Sequence, residues 1–179
     1  MQSKAGSDLV RRQNRSVVIA ALRRNALMSR TDLTAKTELS PSTVSAITAD
    51  LIGEGVLLEQ RDLDPGSSRR GRPQIAIALN PGRASVVSVE LTHNQLSVCA
   101  SDYSGKSLNE LDDRFSTATC SGEELLERCT KLIRMALENA DVTKPDAIVM
   151  AVQGRTDAQG RDLLWSPIAA GRNVHLSDY

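Results

Sequence analysis

Aromatic side chains are nearly missing from this 179-residue chain: Tyr103, Phe115, Trp165 and Tyr179 are the whole set, 2% of the residues. Single-strand nucleic-acid binding by base stacking needs aromatic platforms, and there are too few here to build one. Cysteine is scarce as well. Cys99, Cys120 and Cys129 are odd in number and lack metal-ligand spacing, which points to reduced thiols rather than a disulfide framework or a zinc site. No apolar run approaches the roughly 18 residues of a membrane span, and the first residues carry no apolar signal-peptide core. The expectations are a cytoplasmic protein and no membrane partner. Net charge is zero, with 22 Lys/Arg against 22 Asp/Glu, but the zero hides an asymmetry. Met1–Arg83 holds 13 basic and 8 acidic residues, and Ala84–Tyr179 holds 9 and 14. A basic first half and an acidic second half imply two modules with different partners.

The first half reads as three helices followed by a hairpin. Asp8–Arg24 places Leu9, Val10, Val17, Val18, Ala21 and Leu22 at helical spacing, with arginines on the other faces. Asn25–Met28 reads as a short connection. Ser29 caps a second helix, with Asp32 completing a weak capping box, and Leu33 and Ala35 are expected to face inward. Glu38-Leu39 makes a tight turn. Ser40-Pro41 then supplies a preferred cap and a preferred first helical residue. The third helix runs to about Gly53–Glu54, and Gly55 provides a left-handed stop. Val44, Ile47, Thr48 and Leu51 line its inner face. Its outer face carries Ser42, Ala46 and Ala49, flanked by Thr43 and Ser45. An ordinary solvent-facing helix would carry Lys and Glu there; small side chains let a helix backbone approach another molecule closely.

Val56–Gln60 and Gln74–Leu79 read as strands joined by 61–73, which contains Ser68-Arg69-Arg70-Gly71-Arg72-Pro73. Helix, helix-turn-helix and hairpin together make a winged helix-turn-helix. Alone, the arginine run is a solvated loop. Beside such a domain it becomes the wing, and Arg70-Gly71-Arg72-Pro73 resembles an AT-hook core, in which arginines enter a narrow A·T-rich minor groove. The expected DNA-binding residues are Thr31, Ser40, Ser42, Thr43, Ser45 and Ala46 on the helices, and Arg69, Arg70, Gly71 and Arg72 on the wing. Ser/Thr hydroxyls can donate to phosphates or base edges, and alanines can touch thymine methyls. The third helix has no Arg, Asn or Gln for bidentate base contacts, so much of the affinity and the A·T preference is expected from the wing.

After Asn80-Pro81-Gly82 the texture changes. Ala84–Leu91, Gln95–Tyr103 and Leu108–Phe115 read as strands, Ser121–Asn139 as a long helix, and Ala147–Val152 as a buried strand leading into Gln153-Gly154-Arg155. The order β-β-β-α-β is that of the start of an actin-like, ribonuclease-H-like α/β domain. The overall class is therefore α+β and α/β: a winged helix-turn-helix over 1–82 and the first part of an actin-like domain over 83–179.

A winged helix ending in Arg-Arg-Gly-Arg-Pro, followed by this meander, helix and Val-x-Gly strand end, resembles the ROK family (repressors, open reading frames and sugar kinases), in its xylose and N-acetylglucosamine repressor branch. The stretch Leu163–Pro167 with Gly171–Leu176 is similar to the family's segment after its first Gly-rich strand end. The resemblance implies a bacterial carbohydrate-gene repressor that binds a palindromic double-stranded operator with A·T-rich half-sites, as a homodimer or higher oligomer, with a sugar effector. Two departures stand out. Family kinases cradle ATP phosphate with Asp-x-Gly-Gly-Thr at the first strand end; here the stretch is Glu90-Leu91-Thr92-His93-Asn94, without the glycines a tight phosphate turn needs. The resemblance also places the sugar-binding residues, catalytic Asp and zinc site beyond Tyr179, so no cofactor or metal is expected in this chain, and an incomplete kinase-like domain is. Rival readings are a sugar kinase with an appended DNA-binding domain, and a truncated DNA-binding fragment without sugar response. His93 and His175 read as surface residues, Cys120 as no nucleophile, and Asp112-Asp113 as a strand-end turn.

Overall fold

The structure is a computed structural model that describes residues 2–61, 75–117, 119–167 and 174–175. It is a mixed α/β protein whose contacts divide into two compact units: Met1–Arg83 with Tyr103–Gly105, and Ala84–Asp102 with Lys106–Tyr179.

The first unit contains α1 (Gln2–Asn25), β1 (Leu27–Ser29), α2 (Arg30–Thr37), α3 (Pro41–Gly53), β2 (Leu57–Arg61) and β3 (Ile75–Leu79). Its three strands form an antiparallel sheet in the order β1-β3-β2. Val18, Leu22, Leu33, Val44, Leu51, Leu57 and Ile77 are fully buried in one core. Each such side chain contributes about 1.5–3 kcal/mol relative to an exposed one. Three expectations are corrected here. The first helix is longer than Asp8–Arg24, and only its C-terminal half packs: Val18, Ala21 and Leu22 are buried, while Leu9, Val10 and Val17 are exposed. Ala35 is exposed, because at the end of an eight-residue helix only Leu33 reaches the core. Leu27 and Met28, read as a connection, belong to a strand. Ala26 turns left-handed (φ 55°) and ends α1, and Met28 then buries itself opposite Ile77.

The second unit begins with β4 (Ser85–Leu91), β5 (Gln95–Asp102), β6 (Ser107–Arg114), α4 (Gly122–Asn139) and β7 (Ala147–Val152). The sheet order is β6-β5-β4-β7; β7 lies parallel to β4 and the other pairs are antiparallel. Val87, Val89, Leu91, Leu96, Val98 and Ala100 on one sheet face meet Leu125, Cys129, Leu132 and Ala136 of α4. Strand β7 is not the buried strand expected. It is an edge strand: Ile148, beside Val87 on the α4 face, is 52% exposed because α4 packs mainly on β4, β5 and β6, and Val149, beside Ser88 on the opposite face, is 57% exposed. Asp112 and Asp113 also differ from expectation: they lie within β6, not in a turn, and point to opposite faces. Asp112 accepts from Ser97 Oγ at 2.7 Å and Asp113 from Arg128 Nη1 at 2.9 Å. A small antiparallel sheet follows, in the order β10-β9-β8, of β8 (Arg155–Thr156), β9 (Asp162–Trp165) and β10 (Val174–His175). Gly154 precedes it where a Cβ would stand 2.3 Å from the Trp165 carbonyl oxygen, so only glycine fits that strand end.

Candidate nucleic-acid interface

Helices α2 and α3 are bounded by local side-chain chemistry. Ser29 caps α2 reciprocally: its Oγ accepts from Asp32 N at 3.1 Å, and its own N donates to Asp32 Oδ2 at 3.2 Å. Glu38 takes the left-handed conformation (φ 59°) and ends α2, leaving the three-residue turn Glu38–Ser40. Ser40 caps α3, its Oγ accepting from Thr43 N at 3.2 Å, and Pro41 is the first helical residue. Ser40 Oγ also lies 2.9 Å from Ser42 Oγ and 2.8 Å from Thr43 Oγ1. Three hydroxyl protons thus serve two contacts, and the third remains for an outside acceptor. The donors gather where the helix dipole favours an anion.

The two faces of α3 divide as the sequence implies. Val44, Ile47, Thr48 and Leu51 are buried, and Ser42, Ser45, Ala46 and Ala49 are exposed. Thr43 is half-buried, and Thr31 is exposed in the first turn of α2. The structure therefore presents Ser40, Ser42, Thr43, Ser45 and Ala46 on one helix and Thr31 on its neighbour. Arg69, Arg70, Gly71 and Arg72 lie outside the described residues.

Sequence reasoning missed what surrounds this face. The carboxylates at the far end of α3 are both held by α1. Arg11 Nη2 donates to Asp50 Oδ2 at 2.6 Å, Arg15 Nη1 donates to Glu54 Oε1 at 2.8 Å, and Arg15 Nη2 donates to the second Glu54 oxygen. The hydrogen bonds from Arg15 hold the Glu54 carboxyl below its usual range and raise the guanidinium in turn. The acids that would repel a polyanion are thereby neutralised. Arg30, the first residue of α2, was also missed. Its Nε donates to Thr48 Oγ1 at 3.1 Å and its Nη2 to Glu59 Oε1 of β2 at 2.8 Å. The only hint in the sequence is an arginine directly after a helix cap, and its partners lie 18 and 29 residues away.

The stretch Glu90–Asn94 is the end of β4 and an ordinary turn into β5. Thr92 N donates to Gln95 O at 2.9 Å; the His93 carbonyl accepts from Thr117 N and Oγ1, and the Asn94 carbonyl from Phe115 N. The turn presents carbonyls to its own chain and contains no glycine, which is not the donor nest a phosphate needs. His93 is exposed there. Among the described residues no cluster of three His, Cys, Asp or Glu could hold a metal ion, and no helix is long and apolar enough to cross a membrane. Burial raises the Cys120 and Cys129 thiols above their ordinary range, Cys129 to about 11, the opposite of an activated nucleophile. Gln153 and Arg155 are exposed, and the Gln153 carbonyl accepts from Ser166 Oγ at 2.6 Å.

No protein-family model matches the chain. It is 25% identical over 171 residues to the xylose repressor of Caldicellulosiruptor bescii, covering 94% of this chain and 42% of that protein. Its fold matches the crystal structure of a ROK family transcriptional regulator, a homologue of the E. coli MLC protein, with a TM-score of 0.58 and 21% identity over 93% of this chain and 42% of that one. The chain thus spans about two fifths of the length of both. One is named a repressor and the other a transcriptional regulator; neither is named as an enzyme. The resemblance to a ROK-type repressor, first read from the wing and the strand order, extends over nearly the whole of this chain.

Proposed function

We propose that this chain is the operator-binding part of a bacterial ROK-type repressor, with its first unit a winged helix-turn-helix and its second the opening of an actin-like, sugar-kinase-like domain. The observation that carries this reading is the outer face of α3: small, uncharged, headed by three linked hydroxyls, with its distal acids neutralised by α1. In the proposed complex α3 enters the major groove with its first turn leading. Ser40, Ser42, Thr43 and Ser45 contact phosphates or base edges, and Ala46 lies against bases. Thr31 meets the flanking backbone. Strands β2 and β3 lead into the segment holding Arg69, Arg70, Gly71 and Arg72, which enters an adjacent A·T-rich minor groove. One half-site with so few bidentate contacts binds modestly, so two copies on a palindrome supply the specific affinity. The targets are carbohydrate genes, and a sugar acts on the second domain to shift the placement of paired winged helices. The ordinary turn at Glu90–Asn94 disfavours the sugar-kinase alternative.

Selection of bound duplexes from a random pool tests this reading. The expected product is a palindrome with A·T-rich flanks, and Arg70→Ala with Arg72→Ala should weaken its binding and erase the A·T preference. A pool that never enriches would contradict it.

A further inference from the structure

Arg30 has no place on the outer face of α3, yet it joins three elements. It begins α2, and its guanidinium reaches Thr48 of α3 through Nε at 3.1 Å and Glu59 of β2 through Nη2 at 2.8 Å. Thr48 is fully buried on the core face of α3, among Val44, Ile47 and Leu51. Its hydroxyl donates to Ser45 O at 3.2 Å and accepts from Arg30, so arginine satisfies the lone pair that burial would otherwise leave empty. Glu59 lies mid-strand in β2, paired with Ile77 of β3. A guanidinium is a rigid planar fork, and one that holds a helix through one nitrogen and a strand through another fixes their mutual placement.

We propose that Arg30 is a positioning residue that locks α3 against the β2–β3 hairpin, so that the helix and the wing meet a duplex already in register. This rests on the DNA-binding reading above and adds a residue that touches no DNA in it. A target that must be met by two elements at once is bound more tightly when their spacing is fixed beforehand. The rival role for Arg30 is a direct phosphate contact, with Glu59 only a competing anion.

The two roles give opposite signs for Glu59→Gln. Removing a negative charge near DNA and freeing an arginine tightens binding if Arg30 is a phosphate ligand. If Arg30 is a clamp, the same change weakens binding. This chain and a duplex selected by the wild type are compared by fluorescence anisotropy for wild type, Glu59→Gln, Thr48→Val and Arg30→Gln. The clamp predicts a loss of about fivefold for each variant, the worth of one net hydrogen bond, with an unchanged dependence on salt. Binding by Glu59→Gln that is equal or tighter, or a salt slope lowered by about one in Arg30→Gln, which removes the charge, overturns it. A second measurement needs no DNA. In denaturant unfolding, Glu59→Gln should shift the equilibrium about threefold in the wild-type background and less in the Thr48→Val background, because both act through Arg30; strict additivity overturns the clamp. A wild-type chain that binds no duplex, with coupling intact, removes the DNA-binding reading and leaves Arg30 a purely structural link.

Discussion

Helices α3 and α4 are built alike and finished differently. Each starts at a serine cap, Ser40 and Ser121, and each buries one apolar face, on Val44, Ile47 and Leu51 or on Leu125, Cys129, Leu132 and Ala136. Their outer faces have nothing in common. That of α4 carries Glu123, Glu127, Lys131, Arg134 and Glu138, an ordinary solvated surface. That of α3 carries Ser42, Ser45, Ala46 and Ala49, and the acids that follow are occupied by Arg11 and Arg15. Folding explains the inner faces of both helices. It accounts for Ala46 and Ala49, since alanine is a strong helix former, but not for Ser42 and Ser45, which are poorer helix formers than the Lys and Glu of an ordinary solvated face. The proposed contact with DNA would.

The comparison breaks first at the cores. Leu51→Ala in α3 and Leu132→Ala in α4 should each destabilise by about 2–5 kcal/mol, and hydrogen exchange should place each loss in its own unit. Protection lost throughout the chain in both variants would contradict two separate cores. The outer faces come next. Ala46→Glu sets a carboxylate on the face proposed to meet the duplex, and duplex affinity should drop about a hundredfold, or roughly 2.7 kcal/mol, while stability moves by less than about 0.5 kcal/mol. The matched change on α4, Lys131→Glu, should alter neither. The caps give a smaller effect. Ser40→Ala and Ser121→Ala should each cost about 1 kcal/mol of stability, seen as a lower denaturation midpoint, but only Ser40→Ala should also weaken duplex binding. The last effect is confined to alkaline pH. The Cys129 thiol titrates at about 11 in the folded chain because it is buried, against 9.0 for an ordinary thiol. A raised folded value means full stability below pH 9 and a loss as pH climbs towards 11. Cys129→Ala should remove that part of the alkaline decline in a pH series of unfolding midpoints.

The features legible in the sequence were those fixed by near neighbours. The caps at Ser29, Ser40 and Ser121 depend on residues three positions away, and the faces of α3 and α4 on a period that the chain itself displays. What the sequence concealed depends on distant partners. Leu27–Ser29 is too short to show a strand period and becomes one only by pairing with Ala76–Ala78. Ala147–Val152 looks like a core strand because it is apolar, but burial depends on what lies over it, and α4 packs against its neighbours. Leu9 and Val10 share helical spacing with Val18 and Leu22, yet α1 outruns the core that covers the latter pair. In the candidate site, the hydroxyls and alanines were visible one by one. The arginines that neutralise and position α3 were not, because Arg11 and Arg15 meet partners 39 residues away.

Whether the bare face of α3 receives a duplex is decided by titrating this chain into a labelled double-stranded pool over a series of salt concentrations. Saturable binding at low salt is predicted, with affinity falling linearly in the logarithm of salt and lost in Ala46→Glu but not in Lys131→Glu. No retention of any duplex at low salt, or equal retention by both variants, would contradict it.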